Sequence, residues 1–141
     1  MFTVQGIYAD GTVTINEPVP MDKNYDVIFM LAVNEKLNGI IGTSAITDIY
    51  YLLKKQYADT KTTVGIIFDI LDIIRPVDTT VKDLFHAAEL GFSDFEDAVI
   101  AATAQRERAD YIVTRNIADF STSPIPAILP EKLLEKINVH E

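Results

Sequence analysis

Apolar and polar residues alternate at the start of the chain and recur at helical spacing further on. Over residues 1–33, "FTVQGIY" and "TVTINEPV" flank Asp10-Gly11. That pair favours the left-handed conformations of a tight hairpin turn. Pro18 and Pro20 close the second run, because proline cannot donate to a ladder. "YDVIFMLAV" at 25–33 is mostly apolar, as in a strand buried on both faces. These runs predict a small antiparallel β module over residues 1–33. Three strands alone are marginal, so the module must pack on another body.

From residue 34 to 141 the pattern becomes strand then helix. "GIIGTS" predicts a short strand at 39–43, with Ser44 capping a helix through "AITDIYYLLKKQY". "TTVGIIFDILD", 62–72, predicts a second helix, with Gly65 a mild defect or a close-packing point. "IIRPV" predicts a strand whose Pro76 suits an edge. A third helix spans 80–90 and stops at Gly91. "SDFEDAVIAATAQRERA" predicts a fourth, with Ser93 and Glu96 as its capping box. "DYIVT" and "PAILP" read as strands, and Pro130 opens a last helix. Such alternation predicts a parallel sheet wrapped by helices.

Composition narrows the classes. The 141 residues suit one domain of ordinary size. There is no cysteine, so disulfides and thiolate metal sites are excluded. No run is long and apolar enough for a bilayer, and residues 1–6 do not start a signal peptide, so a cytoplasmic location is expected. The net charge of −9 is the reverse of a free-standing nucleic-acid binder. The front segment has Lys23 as its sole basic residue against Asp10, Glu17, Asp22 and Asp26, which argues against a DNA-binding module.

Ligands of open parallel sheets bind past the carboxyl ends of the strands. Asp48 is expected in the first turn of the helix after "GIIGT", Asp97 in the first turn of the fourth helix, and Asn116 and Asp119 directly after "YIVT". Each acid taken alone is accounted for by helix-start charge, and Asp94 is best explained that way. Their joint placement points to a shared pocket in which Mg²⁺ or Mn²⁺ would relieve the repulsion. The chemistry that follows is metal-dependent phosphodiester hydrolysis. Arg115 is the candidate phosphate contact. His86 and His140 have no partner at ligand spacing.

"TSAITDIYYLLKK", "LGFSDFEDAVIAATA" and "ADYIVTRNIADFSTSPIPAILPEKLLE" resemble the later part of a PIN domain, over about residues 36–136. The resemblance implies a three-layer α/β/α fold and Mg²⁺- or Mn²⁺-dependent cleavage of RNA, often by toxins of VapBC-type toxin–antitoxin pairs. It assigns Asp48, Asp97 and Asp119 as metal-binding acids and Asn116 to a position that is often Asp. The front departs from the pattern. The Asp-x-Asn-type motif that ends the first PIN strand is missing, and residues 1–33 resemble the β-rich start of a small antitoxin. The expectation is a truncated PIN-like domain, 34–141, lacking its usual first strand. "DVIFMLAV" or a strand exchanged in a dimer would fill the gap. Catalysis is expected to be impaired, with an active ribonuclease using the remaining acids as the alternative. RNA, a toxin or antitoxin partner and a second copy through the apolar "IYYLL" and "GIIFDIL" helices are the expected partners.

Overall fold

The computed structural model describes residues 2–5 and 37–139. Five parallel strands form one sheet in the order β3-β2-β1-β4-β5. They are β1 (Phe2–Gln5), β2 (Leu37–Gly42), β3 (Arg75–Val77), β4 (Tyr111–Val113) and β5 (Ala127–Ile128). Between β2 and β3 run α1 (Thr43–Tyr57) and α2 (Thr60–Ile73). Between β3 and β4 run α3 (Val81–Glu89) and α4 (Phe95–Arg106). A 3-10 turn (Ile117–Phe120) follows β4, and α5 (Pro130–Val139) follows β5.

Alternate residues of each strand face opposite sides of the sheet. Leu37 and Ile41 of β2 and Val113 of β4 join Ile49, Leu53, Ile66, Ile70, Leu133 and Ile137, so α1, α2 and α5 cover one face. Ile40 and Ile112 join Ala101, Ala104 and Phe120 on the other, where α4 lies. Ala87 packs α3 against Ala98 and Ala102 of α4. The three-layer α/β expectation therefore holds. Right-handed crossovers require this split, because β2→β3 and β3→β4 run in opposite directions across the sheet.

The expectation of a missing first strand is corrected. Phe2–Gln5 takes the central position and pairs in parallel with both neighbours, with Phe2 opposite Leu37 and Val4 opposite Tyr111. It is not an antiparallel hairpin arm within this sheet. A vacant centre would leave two rows of backbone groups unpaired, and a four-residue segment rich in strand formers satisfies both. The Asp10-Gly11 turn, the "TVTINEPV" run and "DVIFMLAV" lie outside the described residues.

Two caps differ from expectation by one or two residues. α1 begins at Thr43 with Gly42, not Ser44, as its N-cap and no side-chain cap bond. α4 is capped by Asp94, not Ser93; its carboxylate accepts from the Glu96 and Asp97 N–H groups at 2.8 and 3.3 Å. An ionised acid is the stronger acceptor for those orphan donors. β3 is an edge strand, as Pro76 requires. Gly65 is no packing point: a Cβ there would meet nothing within 4 Å. Among the described residues no helix is long and apolar enough to cross a membrane.

Candidate functional site

The strand order reverses its direction of travel between β1 and β4. β1, β2 and β3 step one way; β4 and β5 step the other. Helices leave on opposite faces at such a point, and their splayed starts open a crevice beyond the carboxyl ends of the strands. Two chain segments meet beside it.

The first is the α3–α4 connection. Gly91, at φ +74°, turns the chain off α3 in a conformation that suits glycine. Phe92, Ser93 and Asp94 then lead into α4, with Asp97 in its first turn. The second segment follows β4. The Asn116 N–H donates to Thr114 Oγ1 at 3.0 Å, and the Asp119 N–H donates to the Asn116 carbonyl at 3.1 Å. These bonds wind the chain into the 3-10 turn that carries Asp119. Of the polar residues after β4, Thr114 supplies the turn with a side-chain acceptor.

The two segments enclose a hollow of about 230 Å³. Asp94, Asp97, Asp119, Ser121 and Thr122 line it, over Phe92. The carboxyl of Asp97 is held above the ordinary aspartate range. Burial is the main cause, followed by the charges of Asp94, Asp119 and Glu96. Asp97 thus sits in a field that disfavours its own charge, although the start of α4 favours anions. A field of that sign is what a cation would relieve.

The hollow brings together Asp97 and Asp119. Asp94 lines it too, with its Oδ1 accepting both capping bonds of α4. Asp48 is exposed on α1, does not line the hollow, and lies beyond the helix's first turn, which holds no acid. Asn116 is exposed at the start of the 3-10 turn and serves it through its backbone. Arg115 is half-buried and lies 3.6 Å from Glu131 of α5. Among the described residues no three His, Cys, Asp or Glu side chains are grouped to hold a metal. β1, the strand at the centre of this edge, ends in Val4-Gln5 and carries no acid. The lining residues Phe92, Ser121 and Thr122 were not singled out from sequence; only their adjacency to "SDFED" and "DF" could have marked them.

The donor set still fits a hard cation. Mg²⁺ is commonly held by one or two carboxylates, with water filling the rest of its shell. Asp97 and Asp119 would supply that pair, with the Ser121 and Thr122 hydroxyls also in the lining.

This arrangement was compared with known proteins. No curated protein matches the chain in sequence. A chain of the crystal structure of VapBC2 from Rickettsia felis, bound to a DNA fragment from their promoter, superposes with a TM-score of 0.61 at 21% identity. The match covers 92% of this chain and 98% of that one. The crystal structure of PAE2754 from Pyrobaculum aerophilum matches with a TM-score of 0.56 at 18% identity, over 98% of this chain and 97% of that one. Both share the fold. The family profile described as PIN domain matches residues 10–118, most of the chain, including Asp94 and Asp97 and ending one residue before Asp119. A parallel sheet switching direction beside an acidic hollow, under a profile of that extent, places this chain in the PIN-domain family.

Proposed function

We propose that this chain is a PIN-domain protein related to the metal-dependent endoribonucleases of toxin–antitoxin systems, with an acidic site that retains a cation but is impaired in catalysis. One observation carries the reading. Asp97 and Asp119 share a hollow at the switch point, while the central strand beside it ends without an acid. Asp97 and Asp119 would hold Mg²⁺ or Mn²⁺. When bound, such an ion supplies positive charge to a phosphodiester and acidity to water. The chain's own part is to gather carboxylates and exclude part of their solvent. Among the described residues β1 brings no acid to this edge, so water would complete such an ion's shell there and a nucleophile would be less firmly fixed.

RNA is the substrate class that this kinship favours. Given the net charge of −9, contact with phosphate would depend on the cation and on Arg115. A VapB-type antitoxin or a second copy of the chain is the partner class, by kinship with a protein solved as VapBC2. The alternative is an active ribonuclease working with Asp48, Asp97, Asp119 and Asn116 alone.

The test is cleavage of a labelled single-stranded RNA in Mn²⁺. The native chain is expected to cleave no faster than Asp97→Asn, and Gln5→Asp, which returns an acid to the end of β1, to cleave faster than both. Cleavage by the native chain that disappears in Asp97→Asn would establish the active alternative.

A further inference from the structure

We infer that the aromatic pair Phe92–Phe120 positions the acidic pair, so that Phe92 sets the cation affinity of a site it does not ligate. The inference rests on the acidic-site reading above. Phe92 stands two residues before the cap of α4, and Phe120 is the residue after Asp119. Their rings meet edge to face, with centroids 5.7 Å apart and planes at 81°. That is the favoured geometry for two aromatic quadrupoles. Phe120 is buried at 7% exposure in the cluster of Ile40, Ile112, Ala101 and Ala104. Phe92 packs against that cluster and against the α3–α4 cluster of Ala87, Ala98 and Ala102. It therefore joins the α4 entry to the turn after β4, beside the packing of Phe120 on Ala101 and Ala104.

The tie has work to do. Asp97 and Asp119 face one hollow from the two segments. Among the described residues no hydrogen bond or ion pair joins residues 91–97 to residues 117–122. Apolar contact joins the two segments there, and Phe92 both lines the hollow and meets Phe120. Without a ring at 92, the 3-10 turn can relax outward and widen the gap between the carboxylates. Cation affinity depends steeply on what holds the ligands in place, with losses of about 10- to 100-fold when their outer-shell hydrogen-bond partners are removed.

The test is calorimetric titration of Mn²⁺ into the full chain and four variants, with a urea melt of each. Phe92→Leu is expected to stay folded and to bind Mn²⁺ about tenfold more weakly. Phe92→Tyr, which keeps the ring and can turn its hydroxyl to solvent, is expected to bind as the native chain does. Asp97→Asn is expected to lose binding. Phe92→Met keeps apolar volume without a ring and replaces Phe92→Leu if that variant unfolds, with the same expectation. A simple packing role would lower the urea midpoint of the leucine variant and leave its Mn²⁺ affinity unchanged. That result, alongside loss of binding in Asp97→Asn, overturns the positioning role and leaves the acidic site standing. Equal weakening in Phe92→Tyr and Phe92→Leu also overturns it. A native chain that binds no Mn²⁺ overturns both readings.

Discussion

Asp83→Ala is expected to destabilise the fold by about 3 kcal/mol, from two identifiable losses. Asp83 is 3% exposed. Its carboxylate accepts both hydrogen bonds from Arg106 Nε, at 3.1 and 3.0 Å, and so ties α3 to the end of α4. It also accepts from the Thr80 N–H at 2.9 Å, while the Asp83 N–H donates to Thr80 Oγ1 at 3.1 Å. This is a complete capping box. Hydrogen bonds to a charged group contribute about 1.5–3 kcal/mol. The lower part of that range applies, since the arginine side chain is 35% exposed. The reciprocal cap adds about 1 kcal/mol. At roughly 3–4 °C per kcal/mol for a chain of this size, the melting midpoint should fall by about 10 °C. The pH dependence has a definite sign. Burial pushes the Asp83 carboxyl up, but the Thr80 N–H, the Arg106 guanidinium and the Thr80 hydroxyl together outweigh it and hold it below the ordinary range. A depressed folded-state value gives stability that is present above the unfolded value of 3.8 and is lost as pH falls through the folded one. Thermal melts of the native and variant chains at pH 7 and through the acid range read both effects. A midpoint shift under about 3 °C at pH 7, or a gap that does not narrow in acid, would refute the reasoning.

Further outcomes follow from other positions. Gly65→Ala should stabilise α2 by about 1 kcal/mol in a chemical melt, because the new methyl enters open space in a helix interior. Gly91→Ala should cost about 1 kcal/mol, through φ +74° alone, since the same methyl would meet nothing within 4 Å. Asp97→Asn, without divalent ions, should melt at or slightly above the native chain at pH 7, within about 0.5 kcal/mol. A carboxyl with a raised folded value is penalised only as pH rises above its unfolded value of 3.8, so that advantage should vanish in acid. In Mg²⁺ at ten times the dissociation constant the order should reverse, because the native chain alone gains about 1.4 kcal/mol from binding. Melts in EDTA and in Mg²⁺ check both halves.

Much of the fold was legible because local rules agreed with the global one. The helices from Thr43 onward announce themselves by apolar spacing and by stop signals such as Gly91. Pro76 marked an edge strand correctly. Convergence of Asp97 and Asp119 was also legible, since a parallel sheet gathers the loops that follow its strands on one edge. The failures are non-local. "FTVQ" alternates like a hairpin arm, and periodicity does not name a strand's partner; only the unpaired edges of β2 and β4 select it. Ser93 and Asp94 are both good caps, and the charged one prevailed. The Asp83–Arg106 and Phe92–Phe120 contacts join residues more than 20 positions apart, with no sequence pattern linking them. Asp48 is the instructive case. Its motif placed it with the other acids, yet a helix that starts at Thr43 carries it past the first turn and away from the hollow.

The most direct test of the central claim is a Mn²⁺ titration of the native chain beside Asp97→Asn, Asp119→Asn and Asp48→Asn, followed by electron paramagnetic resonance of the bound ion. A cation held by the Asp97–Asp119 pair predicts one site, lost in the first two variants and weakened at most modestly in Asp48→Asn. Binding that survives the loss of both Asp97 and Asp119, or no binding in the native chain, would contradict it.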